Sequence, residues 1–201
     1  MKPTDILSQE HRVIEQVLDC LEQIADRCDA QGTLNAQDAQ DAISFLRTFA
    51  DQCHHGKEEA HLFPAMEAKG FPRDSGPTGV MLYEHDQGRT FIRGMADVVE
   101  AAAHGDPAAQ GQFVQHARGY IELLRQHIQK EDHCLFTMAN RAFTEADQHA
   151  LLDAFAKGER EHMGLGTHER YLRLANDLAA RYGVAQATPA PVPGPACACG
   201  H

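Results

Sequence analysis

Two stretches of the chain repeat one spacing of chemistry-bearing side chains. The first is His54-His55-Gly56-Lys57-Glu58-Glu59-Ala60-His61-Leu62-Phe63-Pro64, and the second is His127-Ile128-Gln129-Lys130-Glu131-Asp132-His133-Cys134-Leu135-Phe136. Each places Lys at +3, Glu at +4 and Leu-Phe at +8 and +9 from its first histidine. On a helix, residues i and i+4 lie on one face a turn apart. An imidazole and a carboxylate so placed are two ready ligands for a divalent transition metal. His55 and Glu59 have the same spacing, but the repeat aligns Glu58 with Glu131 and so selects His54 over His55. Around an ideal helix a +4 residue is offset by ~40° and a +5 residue by ~140°. Glu131 therefore shares the seam of His127, and Asp132 is expected to face a neighbouring helix or solvent.

The elements that must position these groups are legible as stripes. Thr4 or Asp5 is expected to cap a first helix whose apolar line is Leu7, His11, Ile14, Leu18, Leu21, Ala25 and Cys28, running to about Ala30. Asn35 is expected to cap a second, with Ile43, Leu46, Ala50, His54 and Glu58 in line. The third stripe is Met81, His85, Gly88, Ile92, Met95, Val99 and Ala102, and Pro77 stands near its start. The fourth is Phe113, Ala117, Tyr120, Leu124, His127 and Glu131, after the tight connection Gly105-Asp106-Pro107. No period-2 run occurs, so the fold class is all-α: an up-down-up-down four-helix bundle, with an appended C-terminal helical element. The expected divisions are a bundle over 1–142, appended helices over 143–183 and a Pro/Ala-rich tail over 184–201.

Glu10-His11 and Glu84-His85 match one another, as do the two longer motifs, so the halves of the bundle form an internal repeat. His11 precedes His54 by 43 positions and His85 precedes His127 by 42. Near-equal spacings set the four histidines at matched depths of an antiparallel bundle. One core histidine is readily satisfied by a neighbour. Four with two carboxylates, at a cost of roughly 1–3 kcal/mol for each unpaired polar group and more for each charge, require a common partner. A pair of metal ions supplies one, held by His11, His54, Glu58, His85, His127 and Glu131.

Composition narrows the partners. The net charge of −11 argues against nucleic acid and anionic membrane, which call for basic surface. No apolar run approaches the ~20 residues of a membrane span, and Met1-Lys2-Pro3-Thr4-Asp5 carries no apolar signal core. Cysteines at 20, 28, 53, 134, 197 and 199 lack a disulfide-framework spacing, which suits a reducing cytoplasm.

With Glu10-His11, His54-x-x-x-Glu58-Glu59-x-x-Leu62-Phe63-Pro64, Glu84-His85-x-x-x-Arg89 and His127-Ile128-x-x-Glu131-Asp132-x-x-Leu135-Phe136, the chain resembles the hemerythrin-like (HHE cation-binding) proteins over about residues 5–140. The resemblance implies a non-haem centre of two Fe ions, oxo- or hydroxo-bridged. Its terminal ligands would be His11, His54, His85 and His127, with Glu58 and Glu131 bridging. Oxygen carriers of that kind have a second histidine four residues after the third-helix one, where this chain has Arg89. They also use an Asp five residues after the last His, where Asp132 stands. The four-His, two-Glu set looks more like the di-iron proteins linked to nitric oxide, peroxide or iron-centre repair. The expected role is to bind or sense a small diatomic ligand or peroxide; a di-iron redox enzyme and an iron store or donor are the rivals.

Several residues keep more than one reading. His61 is a fifth ligand, a hydrogen-bonding neighbour of one, or a core histidine. Tyr120 donates to a bound oxygen species or a bridging carboxylate, or is a satisfied core tyrosine. The helices after Phe143 are expected to lid the open end of the bundle, broken at Gly164 and Gly166, with His162 and His168 either outer ligands or solvated. Cys197, Cys199 and His201 either hold a soft ion or form a reactive tail.

Overall fold

The computed structural model describes residues 1–164 and 166–187. Among them are six helices and no strand: α1 (Pro3–Gln31), α2 (36–67), α3 (Gly76–Ala103), α4 (107–142), α5 (Glu145–Gly158) and α6 (Thr167–Tyr182). The expected bundle is α1–α4. The starts follow local chemistry. Asn35 accepts from the Asp38 N–H, Asp106 accepts from Ala108 and Ala109 ahead of Pro107, and Thr144 and Asp147 form a capping box. The first helix begins earlier than Thr4 or Asp5 implied. Pro3 suits a first helical position, and the Asp5 carboxylate turns back to accept the Lys2 N–H at 2.7 Å.

The stripes bury as written, but they split into two apolar layers. One holds Ile14, Leu18, Leu21, Phe45, Phe49, Met95 and Phe113. The other holds Leu7, Leu62, Phe63, Met81, Leu135 and Phe136. The histidines and glutamates lie between them, walled from both ends.

Two long helices are not uniformly α. Over Leu46–His55 and Glu58–Leu62 in α2, and over Glu131–Leu135 in α4, the backbone forms i→i+5 hydrogen bonds; the Phe63 N–H reaches Glu58 O and the Phe136 N–H reaches Glu131 O. Such π turns inside α-helices recur at functional sites, because they re-aim side chains without ending the helix. Both matched His-x-x-x-Glu motifs carry one.

The appended helices divide their work. On α5, Leu151 and Phe155 join the apolar layer at the site end of the bundle, as a lid would. After the break at Gly164 and Gly166, whose φ of 78° and 80° suit residues without a Cβ, α6 does something else. It runs back along α1 and α2 as a fifth bundle helix, with Tyr171 bonded to Ser44 at 3.0 Å and Tyr182 to Asp38 at 2.7 Å. No helix among the described residues is long and apolar enough to cross a membrane.

Candidate metal centre

His11, His54, His85 and His127 meet between the two apolar layers, from α1, α2, α3 and α4. The ring centroids of His11 and His54 are 4.6 Å apart and those of His85 and His127 are 4.8 Å apart, the two pairs the spacing implied. The Leu-Phe pair of each repeat acquires a role here. Phe63 stacks on His85 and Phe136 on His11, at 5.8 and 5.5 Å.

Every one of these imidazoles points Nδ1 at a carboxylate on another helix. His54 meets Glu10 at 3.0 Å, His85 meets Glu59 at 2.7 Å, His127 meets Glu84 at 2.9 Å and His11 meets Asp132 at 2.9 Å. Helix by helix, α1 serves α2, α2 serves α3, α3 serves α4 and α4 serves α1, so the four links close a ring. Each carboxylate is held in turn by a cation: Glu10 by Lys57, Glu59 by Arg89, Glu84 by Lys130 and Asp132 by Arg12. A carboxylate only accepts, so Nδ1 carries the proton and donates. Nε2 then faces inward on a fixed ring, the arrangement that orients metal-binding histidines in general.

The inward atoms converge. Glu131 sets Oε2 at 3.2 Å from His11 Nε2 and Oε1 at 3.3 Å from His127 Nε2. Glu58 sets Oε1 at 3.8 Å from His54 Nε2 and Oε2 at 3.5 Å from His85 Nε2. Two compact sets result, each with its ligand atoms within 4.8 Å of one another: His11, His54, Glu58 and Glu131, and His55, His85, His127 and Glu58. Glu58 belongs to both. Despite these approaches, His11 Nε2, His54 Nε2 and all four oxygens of Glu58 and Glu131 are buried without a hydrogen bond. Leaving such atoms bare at roughly 1–3 kcal/mol each would consume the 5–15 kcal/mol stability of a typical domain. A donor set of imidazole and carboxylate aimed at shared points fits divalent cations.

The electrostatics agree. Burial and the adjacent charge of Glu131 push the Glu58 carboxyl well above the usual range. Glu131 is equally buried, but His127 and His11 outweigh that and hold it ionised. Burial works against the imidazolium of His127 as well, yet Glu131 and Glu84 raise it to about 9. Burial, with His55 and His127 beside it, holds His85 well below its ordinary value. The 3.2 Å contact between the two Nε2 atoms is then a His127 N–H donating to the His85 lone pair. With cations replacing these protons, every inward atom gains a partner.

His55 joins the residues that converge here. The repeat selects His54 over it, yet it is buried, stacks on His85 at 3.8 Å between centroids, holds Nδ1 3.5 Å from Asp51 Oδ1 and leaves Nε2 without a hydrogen bond. The inner face of a bundle helix is wide enough to bury adjacent positions. The signal was present in the sequence: the matched residue is Ile128, an apolar side chain that itself lies in the core. His55 gives the second set a third imidazole, where Arg89 instead binds Asp51 and Glu59 at 2.9 and 2.6 Å. Glu59, which shares i+4 spacing with His55, goes to His85.

Asp132 faces α1, bonding His11 and Ser8, while Glu131 lies in the seam. His61 turns away from the centre to α5, 6.1 Å from the Phe155 ring, and belongs to neither set. His168 packs on Phe49 at 5.3 Å, also away from the centre. Tyr120 is buried with an unpaired hydroxyl, and its ring lies over Gly88, where an added Cβ would sit 3.4 Å from it. Burial raises that phenol, so it is a donor that stays protonated. The His162 side chain and Cys197, Cys199 and His201 lie outside the described residues.

Fold and site together define a helical bundle built around two buried His/Glu clusters of a kind that can hold metal ions. The chain belongs to the hemerythrin HHE cation binding domain family, whose model matches residues 2–139. It is similar to the uncharacterized proteins Rv1995 and MT2051 of Mycobacterium tuberculosis and Mb2018 of Mycobacterium bovis. Each is 23% identical over 182 residues, covering 90% of this chain and 70% of theirs. No solved structure gives a significant match.

Proposed function

We propose that this chain is a non-haem di-iron protein that binds or senses a small oxidant: O2, NO or peroxide. One observation carries the reading. Glu58 and Glu131 each direct one oxygen to a histidine of either set, which is what two carboxylates bridging a pair of ions require. His11 and His54 would hold one ion; His55, His85 and His127 would hold the other. A pair of irons supplies one- and two-electron exchange with such a ligand.

The chain's own residues do the rest. Four Nδ1–carboxylate bonds hold the rings and keep each Nε2 available. Leu7, Leu62, Leu135 and the two stacked phenylalanines exclude bulk water from one side. The Tyr120 hydroxyl, seven residues before His127 on α4, is an unpaired, permanently protonated donor.

The test is anaerobic reconstitution with ferrous iron followed by metal analysis and stopped-flow mixing with O2, NO and H2O2. The expected result is two irons per chain and, with one of the three, a single spectral change that persists. One zinc and no iron on careful aerobic preparation sinks the dinuclear reading. Multiple turnover moves the assignment to a redox enzyme, and iron loss on reaction moves it to an iron donor.

A further inference from the structure

A cavity of about 620 Å³ lies between α1, α2 and the two appended helices, outside both metal-holding sets. Its size is that of a site for a drug-sized organic molecule. More than half of its wall is made by residues beyond the family-matching region. Ile6, Val13 and Phe49 come from the bundle, and Leu152, Phe155 and Leu172 from the appended helices.

The floor of the cavity is charged. Lys57 Nζ binds Glu10 and, at 2.8 Å, Glu159. Glu10, Glu159 and His168 bring ligand atoms within 4.8 Å of one another, a spacing that would admit a metal ion. The lysine ammonium already serves both carboxylates, so a metal there would meet a buried positive charge. Asp153 and Glu169 stand exposed at the rim. Four carboxylate side chains thus line an apolar groove that holds one lysine ammonium, with His149, His168 and Met1 also on its wall. An anion entering would meet like charge, which disfavours a wrong partner strongly.

We propose that this groove binds a small amphipathic organic cation, an aryl- or alkyl-ammonium compound. Its apolar body lies on Val13, Phe155 and Leu172, and its ammonium group faces Glu159 and Asp153. The site is distinct from the metal centre but touches it through one residue, because Glu10 receives Lys57 on one oxygen and the His54 Nδ1–H on the other.

The chain as purified, with its metal content measured in parallel, is titrated calorimetrically with phenylbutylammonium, phenylbutyrate and phenylbutanol. The ammonium compound is expected to saturate one site per chain, with the carboxylate at least ~10-fold weaker from like-charge repulsion. Glu159→Gln is expected to weaken the ammonium compound ~3-fold, the scale of one partly exposed charge pair. Ala156→Trp fills the groove from an exposed helix position; it should remove binding while helical circular dichroism and melting temperature stay unchanged. No saturable binding, equal affinity for the carboxylate, or binding indifferent to Ala156→Trp overturns the proposal. So does binding that appears only in a chain shortened after Ala187, whose N–H bonds Gln16 one turn from Val13; the groove would then belong to the chain's own C-terminal residues. Metal content stands apart from all of these outcomes, so the di-iron reading can fail or hold independently.

Discussion

His54 and His127 occupy the same place in the two halves of the bundle and titrate in opposite directions. Burial lowers His54 to about 4 although Glu10 opposes it, while Glu131 and Glu84 overcome burial and raise His127 to about 9. Both rings donate Nδ1–H to a carboxylate from the preceding helix. They differ in what faces Nε2: an ionised Glu131 at 3.3 Å for His127, and the Glu58 carboxyl at 3.8 Å, pushed up by burial, for His54. The halves differ again one residue on, where His55 matches Ile128, and in shelter, since Lys57 is 5% exposed and Lys130 42%. A twofold repeat has thus become an unequal pair of clusters, one with two imidazoles and one with three.

The comparison breaks most completely at the shared carboxylates. Glu58→Ala and Glu131→Ala should each reduce iron to one or fewer per chain by metal analysis, because Glu58 is shared by both sets and Glu131 belongs to one and meets His127 of the other. Asp132→Ala should leave loading much nearer normal, since among the converging side chains it touches only the Nδ1 side of His11. Next comes His55→Ile, which makes the halves alike. It should keep the fold and weaken one of the two ions by at least the ~10–100-fold typical of losing even an outer partner, read by competition with a chelator. If loading is unchanged, His55 is a buried neighbour and the sets are equal.

Smaller effects sharpen the difference in shelter. Glu10→Gln leaves Lys57 buried with only the half-exposed Glu159 and should cost about 3 kcal/mol in a denaturant melt. Glu84→Gln, whose Lys130 reaches water, should cost about 1 kcal/mol or less. The smallest is a split pH profile of the metal-free chain. Glu10, brought to about 2 by Lys57 and His54 against burial, contributes stability above its ordinary 4.5 that is lost as pH falls toward 2. His54, lowered to about 4, adds loss on the same acid side. His127 contributes fully below 6.5 and loses its share as pH rises through about 9. Thermal melts of Glu10→Gln should flatten the acid limb, and those of His127→Gln the alkaline one.

Most of the fold and six of the converging residues were legible because they repeat and because apolar spacing marks their seam. His55 escaped because one line of residues was taken for the whole buried face, although Ile128 marked the position as inward. The four outer carboxylates escaped for another reason. Glu10 and Glu84 stand beside histidines in sequence, yet each serves a histidine on the next helix, and packing alone decides such a reach. His61 follows Glu58 by three, a spacing that ideal helix geometry sets on the same face. The π turn over Glu58–Leu62 changes that register and leaves the ring on α5.

The ring of carboxylates has a consequence in time. Its last link joins Asp132 to His11 across 121 residues, so no earlier stretch of the growing chain holds a complete set of supports. At ~5–20 residues per second, the first helix waits several seconds for the fourth. Binding of metal by such a set would therefore be a late event, set by when the fourth helix docks rather than by when the first histidines leave the ribosome.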